Sequence, residues 1–86
     1  MNDYRIELSA TAERQLRKLE LNDQVQVAQA IQGLSRNPRP RGSRKLAGYE
    51  DVFRIRTGVF RIIYSIEKVR LLIIILKLGH RKDVYR

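Results

Sequence analysis

The sequence predicts a single α+β domain in the order β-α-α-β-β-β, in which a helical hairpin packs on one face of an antiparallel sheet. Hydrophobic residues recur with helical spacing between Ser9 and Asn37, and with alternating spacing from Phe53 onward. The 86 residues are long enough for one hydrophobic core, so we assign residues 1–86 to one domain.

The chain begins with a pattern of alternating apolar and charged residues. Tyr4, Ile6 and Leu8 alternate with Arg5 and Glu7. A period of two is typical of a strand that is buried on one face, so we expect the first strand here.

Two amphipathic helices are predicted next. Ser9 stands where an N-cap belongs, and Glu13 follows near the positive end of the first helix. Asn22-Asp23 marks a short break and is expected to cap the second helix, which ends at Asn37-Pro38 because the residue before proline avoids the helical region. The apolar stripes of the two helices are Ala12, Leu16 and Leu19, then Val27, Ala30, Ile31 and Leu34.

The second half of the chain reads as a loop followed by three strands. Residues 37–45, NPRPRGSRK, form the loop, and Thr57-Gly58 is expected to be a two-residue hairpin turn. Glu67-Lys68 turns the chain into VRLLIIILKL, residues 69–78, whose unbroken apolar run is typical of a strand covered on both faces. One face of the strand before the Thr57-Gly58 turn carries Phe53 and Ile55. One face of the strand after that turn carries Phe60, Ile62, Tyr64 and Ile66.

Composition excludes several classes of protein. The chain has no cysteine, and its single histidine lacks carboxylates at metal-binding spacing, so we expect no disulfide, no metal and no cofactor. The N-terminus has no apolar signal core, and LLIIIL at 71–76 is too short to cross a bilayer. These features favour a cytoplasmic protein without a membrane partner.

Charge is distributed unevenly along the chain. Residues 1–35 carry four basic and five acidic residues, for a net charge of −1, whereas residues 36–86 carry fourteen basic and four acidic residues, for a net charge of +10. A basic half beside a neutral half is the footprint of a surface that binds a polyanion, with nucleic acid as the first candidate. An acidic protein partner is the alternative.

Three arginines are predicted to share the sheet face that points away from the helices. With a turn at Thr57-Gly58, Arg56 would lie opposite Val59 and Arg54 opposite Arg61. Like charges on facing strands are unfavourable, so an anion bound between them is the functional interpretation. The alternative is three solvated side chains on an open face.

The tail GHRKDVYR is expected to join this site. Gly79 permits a bend, after which His80, Arg81 and Tyr85 would fold back over the arginines. Arginines neutralise a phosphate and the charge that grows on it during transfer, and a Tyr or His beside a hydroxyl moves protons. An exposed polar tail is the alternative interpretation.

FRIRTGVFRIIY, residues 53–64, and the tail resemble the RelE family of bacterial toxins, within the RelE/ParE superfamily. The resemblance covers nearly the whole chain. It implies a small toxin of a toxin–antitoxin system that binds the ribosomal A site and cleaves mRNA there, so that translation stops. The implied reaction is attack of the 2′-OH on the adjacent phosphate, which leaves a 2′,3′-cyclic phosphate and uses no metal.

The resemblance also implies roles for individual residues. Arg61 matches the family's phosphate-binding arginine, and Arg81 matches the arginine that protonates the leaving 5′-oxygen. Tyr85 matches the C-terminal tyrosine that orients or deprotonates the nucleophile and stacks on a base. His80 is a further acid or base candidate, which leaves the general base open between His80 and Tyr85. The residues expected to bind phosphate or RNA are Arg44, Lys45, Arg54, Arg56 and Lys82.

The implied partners are the ribosome, mRNA and a RelB-like antitoxin whose wrapping segment is acidic. Two other functions remain compatible with this fold. One is a ParE-like toxin that inhibits DNA gyrase by binding and is not an enzyme. The other is a module that binds RNA or an acidic protein without chemistry.

Overall fold

The computed structural model describes residues 3–80 of the chain. Five strands form one sheet in the spatial order β1-β5-β4-β3-β2, and two helices connect its first strand to the rest. The elements are β1 (Arg5–Leu8), α1 (Ala10–Arg17), α2 (Leu21–Arg36), β2 (Arg44–Lys45), β3 (Val52–Thr57), β4 (Phe60–Glu67) and β5 (Leu72–His80).

The α+β class and the order of the main elements are confirmed, and two details of the sheet differ. β1 pairs with β5 in parallel, from Arg5 opposite Leu72 to Leu8 opposite Ile75, while the other pairs are antiparallel. The short strand β2 lies in the predicted loop and pairs with β3. A two-residue strand has too little pattern to be visible as a period in the sequence.

The observed helix ends agree only in part with the caps predicted from the sequence. Ser9 is the N-cap of α1, where its Oγ accepts a hydrogen bond from the N–H of Ala12 at 3.0 Å. The expectation for α2 was wrong: its N-cap is Glu20, so Asn22-Asp23 lies inside the first turn. The helix ends at Arg36, as the Asn37-Pro38 step predicts.

The turn between β3 and β4 is one residue later than predicted. Thr57 is still in β3 and pairs with Phe60, so Gly58 and Val59 form the turn. Gly58 has φ = +58°, and glycine at the first central position is the preference of a type II′ hairpin turn. This position explains the shift, because only glycine adopts it without steric strain.

The core lies between the helices and one face of the sheet. Both predicted helical stripes contribute to it, with Ala12 and Val27 fully buried and Leu16 packed at its margin. The sheet contributes the predicted face of β3 and β4 together with residues of β5, which are Phe53, Ile55, Phe60, Ile62, Tyr64, Ile66, Ile73, Ile75 and Leu78. The opposite face of the sheet does not pack against the helices, although Arg54 and Ile63 on that face are buried as well.

β5 contains a β-bulge, which the sequence did not predict. Its pairing with β4 shifts by one residue between Ile63 and Tyr64, so that Tyr64 is opposite Ile75 while Ile63 is opposite Lys77. Leu76 is therefore the extra residue. Within residues 3–80, no helix is both long and apolar enough to cross a membrane.

Candidate functional site

Four arginines lie on the sheet face that points away from the helices. Arg56 is paired directly with Arg61 across β3 and β4, and Arg44 is paired with Arg54 across β2 and β3. Residues directly opposite each other in an antiparallel pair share a face, and Arg54 and Arg56 share one because they are two residues apart. We name this surface, made of Arg44, Arg54, Arg56 and Arg61, the arginine face.

The register of the arginine face differs from the predicted one. Because the turn lies at Gly58 and Val59, Arg56 rather than Arg54 is opposite Arg61, and Arg54 is opposite Ile63. The three arginines of β3 and β4 nevertheless share one face. A shift of the turn by one residue moves the register by two, which preserves the faces.

The arginines are held to different degrees. Arg54 is buried, with 7% of its surface exposed, Arg61 is half-buried with its Nε shielded from solvent, and Arg56 is exposed. Guanidinium groups remain protonated when buried, and their planar forks bind phosphate oxygens in pairs. The face therefore combines cations that are shielded from solvent with one that is exposed.

A cavity of about 660 Å³ opens beside the arginine face, at the edge of β3 that β2 leaves uncovered. Arg41, Arg44, Arg54 and Arg56 line it together with residues of α2 such as Gly33. A lining that contains four arginines makes the cavity suited to an anionic ligand. Arg41 belongs to the loop of residues 37–45 that the sequence predicts, and only the fold places it in this cavity.

The loop that carries Arg41 is anchored to the core. The hydroxyl of Tyr64 donates a hydrogen bond to the carbonyl oxygen of Pro38 at 2.6 Å. The guanidinium carbon of Arg39 lies 4.9 Å from the centre of the Phe53 ring, which in turn stacks on Tyr64 with 6.0 Å between ring centroids. Burial raises the pKa of Tyr64 to about 12, so this hydroxyl keeps its proton at neutral pH.

Lys77 joins the same face and was missed in the sequence. It is paired with Ile63, which lies next to Arg61 on that side of β4. The bulge at Leu76 turns Lys77 to this side, and the unbroken apolar run of β5 has no alternation that would reveal it. Beside Lys77 lies a mainly apolar cavity of about 300 Å³, whose other lining residues are Leu46, Tyr49, Val52, Ile63 and Leu76.

Two of the predicted site residues lie on the opposite face. His80 is paired with Phe60, and the two rings meet edge to face with centroids 6.4 Å apart. Lys45 is paired with Phe53 and so points away from Arg44. The structure therefore does not bring His80 and Lys45 together with the arginines. The remaining predicted residues, Arg81, Lys82 and Tyr85, lie outside the described residues.

The arginine face is suited to binding and stabilising a phosphate. Arginine stays charged and does not accept a proton, so these groups act through electrostatics rather than proton transfer. Residues 3–80 contain no group of three or more His, Asp or Glu side chains that could hold a metal ion. At the end of β5, Gly79 is opposite Arg61 and His80 is opposite Phe60, beside the hairpin turn.

Comparison with known proteins agrees with this fold. The model of the ParE toxin family of the type II toxin–antitoxin system, parDE, matches residues 6–85. Toxin RelG from Mycobacterium tuberculosis is 36% identical over 87 residues, which cover 96% of this chain and 97% of that toxin.

Solved structures with the same fold come from bacteria and archaea. The toxin–antitoxin complex RelBE2 of Mycobacterium tuberculosis contains a chain with a TM-score of 0.82 and 32% identity, matched over 96% of this chain and 97% of that one. The archaeal RelE–RelB complex of Pyrococcus horikoshii gives a TM-score of 0.82 and 29% identity, over 98% and 100% of the two chains. The chain belongs to the RelE/ParE family, the toxins of type II toxin–antitoxin systems.

Proposed function

We propose that this toxin is a ribosome-dependent endoribonuclease that cleaves mRNA in the A site. The observation that carries the proposal is the direct pairing of Arg56 with Arg61, with Arg54 on the same face. Cations placed opposite each other repel, and an anion bound between them offsets this repulsion. The phosphate of an RNA backbone is an anion that suits paired guanidinium groups.

In the proposed reaction, the 2′-oxygen forms a bond to the adjacent phosphorus while the bond from phosphorus to the 5′-oxygen breaks. Arg61 binds the phosphate, and Arg54 and Arg56 stabilise the extra negative charge of the transition state. Arg81 donates a proton to the leaving 5′-oxygen, and Tyr85, as its phenolate, orients the 2′-OH and accepts its proton. Transfer of this proton through solvent from Tyr85 to Arg81 restores both groups. The products are a 2′,3′-cyclic phosphate and a 5′-OH.

The proposal leaves His80 outside the chemistry. Its imidazole packs against Phe60 on the face opposite Arg61, and a general base must come within hydrogen-bond reach of the proton that it removes. The described arginine face supplies cations, so deprotonation of the nucleophile depends on the tail. This dependence supports a requirement for the ribosome, which would position the RNA for a weak base.

The path of the RNA is proposed to extend beyond the scissile phosphate on both sides. The cavity lined by Arg41 and Arg44 would hold a neighbouring phosphate, and the apolar cavity beside Tyr49 would accept a base. Lys77 lies between the apolar cavity and the arginine face and would contact the backbone there.

The proposed partner that silences the toxin is a RelB-like antitoxin with an acidic wrapping segment. RelBE2 and the archaeal RelE–RelB complex are toxin–antitoxin complexes of similar fold, and this chain carries a net charge of +10 over residues 36–86. Charge of this magnitude steers association with an acidic segment. Because the same cations bind RNA in the proposal, an antitoxin over the arginine face would block the site.

The experiment that tests the nuclease uses a defined translation reaction with a single mRNA. Primer extension maps 5′ ends after addition of the purified protein, of Arg61→Ala or of Arg81→Ala. We expect cuts within the A-site codon with the native protein, and a loss of at least 100-fold in rate with either variant. The upstream fragment is expected to end in a 2′,3′-cyclic phosphate.

Arg14→Ala is the matched control, because it removes an exposed arginine from α1 on the helical side of the molecule. It should leave the cleavage rate within about twofold of the native rate. Intact mRNA with the native protein would overturn the proposal. Equal losses in Arg14→Ala and Arg61→Ala would show that general charge, rather than the arginine face, is responsible.

A gyrase inhibitor is the second candidate, since the matching family model is that of the ParE toxin. It would bind without chemistry and would not need Arg81 to donate a proton. A DNA supercoiling assay with gyrase, run on the native protein and Arg81→Ala, separates the two functions. Inhibition of supercoiling by both proteins, together with intact mRNA, would favour the gyrase inhibitor.

A further inference from the structure

The end of β5 is held by side chains of the first helix rather than by a neighbouring strand. β1 accompanies β5 only as far as Leu8 opposite Ile75, so residues 76–80 form an edge of the sheet. Ser9 and Gln15 bind backbone groups of this edge. The Oγ of Ser9 donates a hydrogen bond to the carbonyl oxygen of Leu76 at 2.7 Å.

Gln15 makes the second contact. Its Oε1 accepts a hydrogen bond from the N–H of Leu78 at 2.7 Å. Backbone groups at the edge of a sheet are otherwise left to solvent or to another chain. The two side chains therefore hold β5 on both sides of Lys77, at the start of the segment that leads into the tail.

These contacts lie at the β-bulge. The carbonyl of Ile75 accepts a hydrogen bond from the backbone N–H of Ser9 at 2.9 Å, and the next carbonyl, that of Leu76, accepts from its Oγ. Successive carbonyls of a regular strand point to opposite sides, so two that point to the same residue mark the extra residue of a bulge. The shift in pairing with β4 falls at the same place.

The bulge determines which face each later residue of β5 occupies. With it, Gly79 is opposite Arg61, and Leu78 lies in the core with 1% of its surface exposed. If the register of Tyr64 and Ile75 continued without a shift, Leu78 would be opposite Arg61 and would leave the core. A shift of one residue exchanges the faces of every residue that follows.

We propose that Ser9 and Gln15 are positioning residues, which hold the bulge at Leu76 and thereby determine the face from which β5 passes the chain to Arg81 and Tyr85. The inference rests on the proposed function, in which those two residues act on the phosphate. Neither Ser9 nor Gln15 lies on the arginine face, so both act through β5.

Ser9 also caps α1, and substitution separates its two roles. Its Oγ accepts from the N–H of Ala12 as the cap and donates to Leu76 as the contact with the bulge. Ser9→Asp keeps a good N-cap acceptor, but a carboxylate has no proton to donate to a carbonyl. Ser9→Thr keeps both the acceptor and the donor. The comparison isolates the contact with Leu76.

Gln15 allows the same comparison between a variant that loses its contact and one that keeps it. Gln15→Met has nearly the same length and cannot accept the hydrogen bond from the N–H of Leu78 effectively. Gln15→Glu keeps an acceptor oxygen in that place. We expect the two retaining variants, Ser9→Thr and Gln15→Glu, to behave like the native protein.

Nuclear magnetic resonance tests the position of β5 without any assay of activity. His80 is the only histidine of the chain, so its ring protons are identified directly, and the edge-to-face contact with Phe60 shifts them from their usual values. We expect Ser9→Asp and Gln15→Met to lose this shift and to exchange the Leu78 amide proton at least about tenfold faster. Retention of both signals in these variants would overturn the inference.

Cleavage in the translation reaction tests the consequence. We expect Ser9→Asp and Gln15→Met to lower kcat by roughly 10- to 100-fold with little change in KM, because the tail is misplaced while the arginine face still binds RNA. Val27→Ala is the control for lost stability, since Val27 is a buried core residue on α2 and its apolar side chain makes no hydrogen bond to β5.

An equal loss of kcat in Val27→Ala, at equal unfolding temperature, would contradict a positioning role. Native cleavage rates in Ser9→Asp and Gln15→Met would contradict it too. If the native protein cuts no mRNA, the proposed function fails by itself. The His80 and Leu78 signals still decide whether Ser9 and Gln15 set the course of β5.

Discussion

Arg56 and Arg61 are directly opposite each other across β3 and β4, next to the Thr57–Phe60 pair that closes the hairpin. Two like charges at this position oppose folding in the free protein and favour binding of an anion. The proposed function therefore implies that this pair lowers the stability of the free protein in return for binding of RNA. The predictions below test this exchange and the contacts that hold the surrounding structure.

Arg56→Gln is expected to stabilise the free protein while it weakens cleavage. Removal of the exposed member of the pair relieves the repulsion, so the free energy of unfolding should rise by about 0.2–1 kcal/mol. The gain should shrink in high salt, which screens exposed charges. Chemical denaturation at low and high salt measures it, with Arg14→Gln as the control.

Tyr64→Phe is expected to loosen the loop of residues 37–45. The substitution removes the hydroxyl that donates to the carbonyl of Pro38 and keeps the ring in its stack with Phe53. Loss of one hydrogen bond at a fully buried tyrosine should lower the free energy of unfolding by about 1–2 kcal/mol. Faster amide exchange in residues 38–44, measured against the native protein, would locate the effect, and unchanged exchange there would contradict it.

Stability should fall at high pH because of Tyr64. Burial raises its pKa from 10.0 to about 12, so the unfolded chain loses this proton at lower pH than the folded protein does. The contribution is fully present below pH 10 and is lost as the pH rises through about 12, with a total of roughly 2–3 kcal/mol. The difference in unfolding free energy between the native protein and Tyr64→Phe, followed from pH 9 to 12, separates the contribution of Tyr64 from that of lysine titration. A constant difference would contradict the prediction.

Gly58→Ala is expected to destabilise the β3–β4 hairpin. Gly58 has φ = +58°, and a Cβ there would approach the Nε2 of Gln26 to 2.5 Å. The unfavourable φ alone should lower the free energy of unfolding by about 1 kcal/mol. The double variant Gly58→Ala with Gln26→Ala removes the clash, so thermal unfolding of the single and double variants separates steric contact from backbone strain. Equal losses would assign the whole effect to the backbone.

Local patterns predicted the parts of the fold that depend on neighbours in the chain. Ser9 caps α1, the apolar stripe of α2 is buried, and the alternation of β3 and β4 separates the core from the arginine face. Each of these follows from a period of 3.6 or 2, which the covalent chain alone imposes. Glu20 is the N-cap in place of Asn22-Asp23, and it makes no side-chain cap hydrogen bond, so no local capping signal marks this helix start.

The candidate site was predictable only where it lies on regular strands. Arg54, Arg56 and Arg61 share a face as their spacing indicates, whereas Lys77 was missed and His80 lies on the opposite face. Both differences come from the bulge at Leu76. The run of six apolar residues before Lys77 carries no alternation, so it contains no sign of where the side chains change face.

The sequence by itself determined the class of the fold, the order of its main elements and the face on which three arginines meet. The tertiary structure decided which arginines are opposite each other and which residues line the cavity beside the arginine face. It also decided on which face of the sheet the last side chains of β5 lie. Those features depend on a turn set by Gly58 and on hydrogen bonds such as that from Ser9 to Leu76, whose partners are 67 positions apart. A periodic pattern records the neighbours of a residue along the chain, whereas register is determined by contacts that exist only after the chain has folded.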